Sequence, residues 1–332
     1  MIISVTGSSG FIGKWLVKKL IEEGHEVREW DRHNDREIAN FELEGADFVV
    51  HLAAMADVRA SMLEPELWYK NNVTTTTRIQ RICNENKVPL VYASSSCIHA
   101  WWKSPYGTTK KINEETAFPG QVGLRFTTVY GEGARDSMFI GKLLRNEIKY
   151  ATNHVRDFIH VSDFVDGIML FINEGTKDRL PAYNMGTGKG NKVYEVAQAY
   201  GWLGEITDGD DCEASDNTAD NSDMRETGWE PKVDVMEYVK FQSDHVNVDS
   251  EGDPQSEEEL RLTLDPRPNL PTFEKNPKLI LEGEDVLRSS RKLNMLMVDD
   301  DGTPIGEVGG HHLPLDLKRK KAQKKWEDVT DV

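Results

Sequence analysis

Tyr106 and Lys110 are the residues whose types and spacing point most directly to chemistry. Residues four apart lie on the same face of a helix. The Lys110 ammonium group would then favour the phenolate and lower the pKa of Tyr106, which suits a phenol to general acid–base work near neutral pH. Ser95 ends an apolar segment upstream and can hydrogen-bond the same substrate oxygen. Together the three side chains predict a site that moves a proton at a substrate oxygen.

A glycine-rich turn near the start of the chain predicts a phosphate-binding loop. Gly7, Gly10 and Gly13 lie between an apolar run at 2–5 and a segment with helical spacing at 11–23. There the first glycine permits a tight turn, the second lets the backbone approach a pyrophosphate, and the third lets helix and strand pack closely. Free N–H groups at the helix start would face the phosphates.

An acidic residue ends the next apolar segment and predicts the type of dinucleotide. Asp31 follows Gly13 by 18 residues. A carboxylate at this place accepts hydrogen bonds from both ribose hydroxyls of NAD and repels the extra phosphate of NADP. NAD is therefore favoured, and the neighbouring Arg32 keeps NADP as the minority alternative.

The segments around these residues alternate between strand and helix patterns, which is typical of βαβ units. Such units predict a Rossmann-type, doubly wound parallel sheet in an α/β fold. A long helix is predicted over 64–87, and the predicted strands are 2–5, 26–31, 47–54, 90–96 and 122–130.

The charge balance bears on the class of partner. The 332 residues include 40 Lys plus Arg and 57 Asp plus Glu, for a net charge of −17. A nucleic-acid-binding protein would need a basic face, so nucleic acid is not an expected partner. An anionic small molecule remains compatible, because a single Arg can hold a phosphate inside an acidic protein.

Cysteine usage and hydropathy predict the compartment. Cys83, Cys97 and Cys212 are too few and too scattered for a disulfide framework or a zinc site. His311 and His312 have no spaced third ligand, so no metal is expected. No apolar run reaches the roughly 20 residues that span a bilayer, and the first residues do not have the pattern of a signal peptide. We therefore expect a cytoplasmic protein without a membrane partner.

Taken together, these motifs resemble the extended short-chain dehydrogenase/reductases of the NAD-dependent epimerase/dehydratase family, close to the nucleotide-sugar 4-epimerases. The motifs occur in family order and cover about residues 1–242. They are TGSSGFIG (6–13), HLAA (51–54), NNV (71–73), SSS (94–96), YGTTK (106–110), LRFTTVYG (124–131), RDFIHVSD (156–163), NMGTGKG (184–190) and GWEP (228–231).

The resemblance implies a role for each matching residue. Ser95, Tyr106 and Lys110 would form the catalytic triad. Ser95, Thr128 and Arg156 would contact the substrate, with Arg156 gripping its diphosphate as a planar cation can. NAD would be bound by Gly7, Gly10, Phe11, Ile12, Gly13, Asp31, Leu52, Ala53, Ala54, Asn72, Tyr106 and Lys110.

Several departures from the family pattern affect what the resemblance implies. The stretch between Lys110 and Arg125 is short, so the helix that carries Tyr106 is expected to be brief. That helix often builds the family's dimer interface, which leaves a homodimer open. Thr128 stands where many epimerases have a substrate-binding Asn. Residues 212–219 lack the second phosphate-binding Arg often found there, so substrate affinity or identity is expected to differ.

The resemblance also divides the chain. Residues 1–242 would form the NAD-binding domain, with a small substrate lobe drawn mainly from 131–160 and 186–242. Residues 243–259 are acidic, lack aromatic residues and are expected to be a linker. Residues 260–332 form a tail of α+β type without a recognised counterpart. Its pattern predicts a hairpin around Asp301-Gly302 and a final basic helix.

The expected function is an NAD-dependent nucleotide-sugar epimerase, which oxidises and re-reduces a sugar carbon with Tyr106 as acid and base. A net reductase or dehydrogenase of a nucleotide sugar is an alternative. Dehydration ranks lower, because Ser96 and Cys97 follow Ser95 where a 4,6-dehydratase would want Asp-Glu. A catalytically silent NAD-binding protein with a regulatory or assembly role is the alternative from outside the enzymes.

Overall fold

The structure, a computed structural model, describes residues 1–248, 296–298 and 304–307. Its strands are β1 (Ile2–Thr6), β2 (Glu26–Trp30), β3 (Phe48–His51), β4 (Leu90–Ser95), β5 (Gln121–Phe126), β6 (Thr128–Tyr130), β7 (Tyr150–Thr152), β8 (Val155–His160), β9 (Ala182–Met185), β10 (Gly190–Lys192), β11 (Glu205–Thr207), β12 (Leu296–Val298) and β13 (Pro304–Glu307). Its α-helices are α1 (Phe11–Glu22), α2 (Val58–Leu63), α3 (Pro65–Trp68), α4 (Thr75–Asn86), α5 (Pro105–Glu115), α6 (Phe139–Leu144), α7 (Val161–Glu174), α8 (Val193–Ala199), α9 (Ser222–Glu226) and α10 (Val235–Val248).

The central sheet is parallel throughout, with the spatial order β2-β1-β3-β4-β5-β9 among the described strands. Every residue of β3 and β4 is buried, as expected where helices cover both faces of a sheet. On one face, Leu16 and Leu20 of α1 pack with Phe164 and Ile168 of α7. On the other face, Ile79 of α4 packs under the strands. The predicted Rossmann-like α/β fold is confirmed.

A second, smaller core lies beside the sheet. It is built on the three-stranded sheet β10-β8-β6 and the pair β11-β7, with α6, α8 and α10 around them. Tyr130, Leu143, Phe158, Val196 and Val239 are at most 5% exposed in this core. These residues come mostly from 131–160 and 186–242, the two stretches expected to form a substrate lobe.

The predicted strand over 122–130 is wrong as a single element. β5 ends at Phe126 in the central sheet, and β6 starts at Thr128 in the small sheet. Thr127 lies between them, and its N–H donates to the Met185 carbonyl at 3.2 Å. The apolar run is continuous in sequence because both strands are largely buried, so hydropathy alone hides the change of sheet.

The predicted helix over 64–87 is interrupted. α3 and α4 are joined by a π-helical turn, Tyr69–Thr74. The wider turn carries Asn72, which is fully buried and bonds both backbone groups of Met55 at 2.9 Å. Such turns are frequent at functional sites, and this one fastens the segment after β3 to the helix.

The expectations for the C-terminal part are tested only partly. α10 continues to Val248, so residues 243–248 are helical and the linker prediction is wrong there. β12 and β13 pair antiparallel on either side of the predicted hairpin turn, in the unit that spans Glu274–Val332. The turn residues Asp301-Gly302, the rest of the acidic linker and the final basic helix lie outside the described residues.

A buried histidine links the sheet to α4. His51, 3% exposed, is hydrogen-bonded through Nδ1 to Thr6 Oγ1 at 2.6 Å and through Nε2 to Thr76 Oγ1 at 2.9 Å. Burial, with a smaller contribution from the positive charge of Lys110, lowers the pKa of His51 to about 3. The ring therefore has a structural role and stays neutral in the folded protein.

We expect His51 to make the folded state sensitive to acid. The unfolded chain takes up the proton near pH 6.5 and the folded chain only near pH 3, so stability is lost as the pH falls through this window. The contribution is about 1.4 kcal/mol per pH unit. Urea unfolding of His51→Gln should show a flatter pH dependence than the parent chain, whereas the exposed control His33→Gln should not. Parallel curves for all three proteins would contradict the assignment.

Candidate active site

The loop between β1 and α1 is shaped by close backbone packing. Gly7 has φ +72°, a conformation that favours glycine, and its N–H donates to the Trp30 carbonyl at 2.8 Å. A Cβ on Gly7 would lie 2.8 Å from the Ala53 nitrogen, and one on Gly13 only 2.0 Å from the Gly7 carbonyl oxygen. α1 therefore starts directly against the loop.

The first turn of α1 is available to a ligand. Its N-cap residue is Gly10, so no side chain caps the first amide groups. These N–H groups and the helix dipole together favour an anion. Gly10, Phe11, Ile12 and Gly13 line the cleft that opens above the sheet.

Asp31 lies beside this loop, directly after β2. Its Oδ2 accepts a hydrogen bond from Ser9 N–H at 3.2 Å and its Oδ1 one from His33 N–H at 3.0 Å. The carboxylate is 9% exposed. These bonds fix its direction and leave each oxygen a further lone pair for a hydroxyl donor.

The segment after β3 forms the wall that faces the glycine loop. Leu52 and Ala54 line the cleft, and Ala53 packs against Gly7, with its N–H donating to Thr6 Oγ1 at 3.3 Å. Asn72 supports this wall through Met55, as described above. Asn72, predicted to bind NAD, is thus placed behind the wall, where its side chain bonds Met55 and Thr109.

Ser95, Tyr106 and Lys110 are brought together at the carboxyl end of β4. Ser95 ends that strand, and Tyr106 and Lys110 lie one turn apart on α5. The Ser95 hydroxyl lies close enough to the Tyr106 phenol to influence its pKa. Lys110 Nζ donates to the Ala93 carbonyl at 2.7 Å and lies 5.9 Å from the centroid of the Tyr106 ring. All three side chains line the cleft and are at most 5% exposed.

Burial dominates the protonation of this triad. It raises the pKa of Tyr106 well above its usual value, against a smaller lowering by the nearby Ser95 hydroxyl. It also lowers the pKa of Lys110 to about 8. The predicted lowering of the Tyr106 pKa is therefore wrong, because burial, with a smaller contribution from the neighbouring Cys97, raises it instead. The phenol is held as the protonated acid.

The cleft runs from the glycine loop to the small core and has a volume of about 570 Å³. Its far end is lined by Arg59, Lys103, Arg135 and Arg156, a concentration of positive charge in an acidic chain. Thr128 lies in the same wall, where Asn217 Nδ2 approaches its hydroxyl at 3.5 Å. The arrangement places anion-binding groups at both ends of the cleft and the acid–base groups between them.

Sequence reasoning found Arg156 and Thr128 but missed the other charged residues of the far end. Arg59, Lys103, Arg135 and Glu213 come from four separate segments of the chain. Each is an ordinary charged residue in its own stretch, without a distinctive spacing. Only the convergence of the segments at one edge of the sheet gives them a shared site.

Comparison with known proteins identifies the family. The sequence profile of the NAD dependent epimerase/dehydratase family matches residues 3–186, more than half of the chain. The chain is 26% identical to UDP-glucose 4-epimerase 1 of Oryza sativa subsp. japonica, over 60% of this chain and 79% of that protein. This chain belongs to the NAD dependent epimerase/dehydratase family.

Solved structures give the same result. The structure of MoeE5 in complex with UDP-glucose and NAD is 27% identical, with a TM-score of 0.65, covering 76% of this chain and all of that one. The UDP-glucose 4-epimerase of Thermotoga maritima, solved with UDP-glucose, shares the fold at 24% identity and a TM-score of 0.62, with coverage of 76% and 100%.

The family is NAD-dependent, and the residues of this chain fit that cofactor. The glycine loop leaves no room for a Cβ at Gly7 or Gly13, the first turn of α1 is uncapped, and a directed carboxylate stands at Asp31. In the described residues, no cluster of three or more His, Cys, Asp or Glu side chains could hold a metal ion. No helix among them is long and apolar enough to cross a membrane.

Gly13→Ala should abolish tight NAD binding, because its Cβ would collide with the Gly7 carbonyl and push α1 off the loop. The chain contains a matched control, since Phe11–Lys14 and Phe139–Lys142 are both FIGK and each opens a helix. Gly141→Ala meets only the end of the Arg145 side chain at 3.2 Å. Calorimetric titration with NAD should show an affinity loss of at least about tenfold for Gly13→Ala only. Equal affinity in both variants would contradict the role of the loop.

Proposed function

We propose that this protein is an NAD-dependent nucleotide-sugar epimerase in which Tyr106 is the acid and base. The observation that carries the proposal is the placement of a buried Ser95–Tyr106–Lys110 group between a dinucleotide cradle and a cation-rich end of the same cleft. A nucleotide sugar has the matching shape, since its sugar would lie at the triad while its diphosphate reaches the cations.

In its phenolate form, Tyr106 would take the proton from a sugar hydroxyl, and it would return that proton to the sugar oxygen when reduction follows. Ser95, which lines the same cleft as Tyr106, would hold that oxygen and stabilise the negative charge that develops on it. NAD bound in the cradle would supply the hydride acceptor and donor. Lys110 would bind the cofactor ribose, and its charge would support the phenolate.

The assignment of NAD rather than NADP rests on Asp31. A 2′-phosphate placed at the ribose would meet this carboxylate at the end of β2, and like charges at short range repel. Arg32 is exposed on the following turn, and the guanidinium of Arg36 stacks 3.9 Å above the Trp30 ring. We therefore expect NAD to bind more tightly than NADP.

The substrate end is assigned to Arg156 and Thr128, as the resemblance implies. Arg156 lies on β8 and Thr128 on β6, neighbouring strands of the small sheet. MoeE5 was solved with UDP-glucose, and the rice relative is named for its action on UDP-glucose. UDP-sugars are therefore the first substrates to test, followed by GDP- and dTDP-sugars.

Tyr106→Phe should reduce epimerisation by about 100-fold or more, because positioned acid–base groups contribute about 10²–10⁴ in rate. NAD binding should persist, since the ring remains. The control Tyr194→Phe removes a hydroxyl that contacts Lys192 and Glu195 on α8, and it should leave the rate unchanged. Interconversion of UDP-glucose and UDP-galactose is followed by chromatography.

The same assay separates the alternatives. An epimerase returns its hydride and shows no net NADH, whereas a nucleotide-sugar dehydrogenase or reductase forms or consumes NADH in proportion to product. Full activity in Tyr106→Phe would overturn the assigned role of that residue. A native protein that binds NAD but converts no sugar nucleotide would favour the catalytically silent NAD-binding alternative.

A further inference from the structure

An acidic side chain, Glu213, lies among the cations at the far end of the cleft. Its Oε2 is 2.7 Å from Arg156 Nη2, and its Oε1 is 3.1 Å from Arg59 Nε. Lys103 Nζ donates to the Glu213 main-chain carbonyl at 3.0 Å. Three cationic side chains thus converge on one acidic residue, at the place assigned to the anionic part of the substrate.

Arg156 has few hydrogen-bond donors left for another ligand. Its Nη1 donates to the carbonyls of Val155 and Ala214 at 2.8 Å, and its Nη2 bonds Glu213 Oε2 and His154 Nδ1. Two of these four partners are side chains, and the Glu213 carboxylate is the more exposed of the two, at 23% against 10% for His154. An incoming phosphate needs the same edge of the guanidinium, and two anions held there would repel each other.

Glu213 belongs to a short strap, residues 209–214, that is anchored at both ends. On one side Asn153 Nδ2 donates to Asp208 Oδ1 at 2.7 Å, and on the other Val155 N–H donates to the Ser215 carbonyl at 2.8 Å. These two hydrogen bonds hold the strap at the cleft whether or not the Glu213 carboxylate stays paired with the arginines. The carboxylate is therefore tethered beside Arg156 and Arg59 at a high effective concentration.

We propose that Glu213 is an intramolecular competitor for the anionic group of the substrate, and that it determines which ligand charge the cleft accepts. This inference rests on the proposed function, since it presumes a diphosphate at Arg156. A tethered single charge is displaced by a diphosphate, which brings more charge and more acceptor oxygens. A ligand with one weak anionic group would interact with Arg156 little more strongly than the Glu213 carboxylate that it must replace, so its net affinity would be low.

The test is calorimetric titration of the NAD-loaded full chain with UDP at low ionic strength. Glu213→Gln keeps the shape and one acceptor oxygen but removes the charge, and it should bind UDP about tenfold more tightly than the parent protein. Glu213→Ala should shift the affinity in the same direction. Asp211→Asn removes the same charge from an exposed position on the same strap and should change UDP affinity by less than about twofold.

Inorganic pyrophosphate and uridine separate this inference from the proposed function. The gain in Glu213→Gln should be seen with UDP and with pyrophosphate, and not with uridine, which carries no phosphate. Equal or weaker binding of UDP and pyrophosphate by Glu213→Gln would overturn the inference and leave the epimerase assignment standing. A gain with pyrophosphate in a protein that binds no nucleoside diphosphate would support the competitor and overturn the nucleotide-sugar assignment.

Discussion

The close contact between Gly13 and the Gly7 carbonyl is the constraint on which the rest of the site depends. Because no Cβ separates them, α1 begins directly on the loop after β1. That position brings Ser9 N–H to Asp31 and so fixes the direction of the Asp31 carboxylate beside the loop. It also brings Trp15 Nε1 to within 2.9 Å of the Glu132 carbonyl, which joins α1 to the segment leaving the small sheet. One backbone contact thus aligns the glycine loop with the cation-rich end of the cleft.

The buried Tyr106 and Lys110 side chains show how burial and charge oppose each other in this fold. Tyr106 and Lys110 are close enough to interact, but the apolar setting disfavours the phenolate and the ammonium alike. Tyr106 is therefore held in its protonated form, and the pKa of Lys110, lowered to about 8, lies close to neutral pH. Charges that arrive with ligands then have a large effect, because little water remains to screen them. The protonation state of the site is coupled to what occupies it.

Residue spacing and hydrophobic periodicity predict those parts of the structure that depend on residues close together in the sequence. The glycine loop, Asp31 and the Tyr106–Lys110 pair are adjacent to strands and helices whose periodicity is readable. The strand break at Thr127 and the π-helical turn at Asn72 are set by partners far along the chain, Met185 and Met55. The raised pKa of Tyr106 has the same origin, since burial is a property of the assembled core. Glu213 could not be placed because its partners come from three other segments.

The change of sheet at Thr127 has a mechanical consequence. β5 passes into β6 with a single residue between them, so the large and small cores share one continuous extended segment. A hinge needs residues that can absorb large changes of φ and ψ, and here the hydrogen bond of Thr127 to Met185 restrains the crossing point. The crossing point between the two cores is thus restrained. The strap at 209–214 is also fastened at both ends, so under our proposal it is the Glu213 side chain, and not the strap, that moves when a ligand binds.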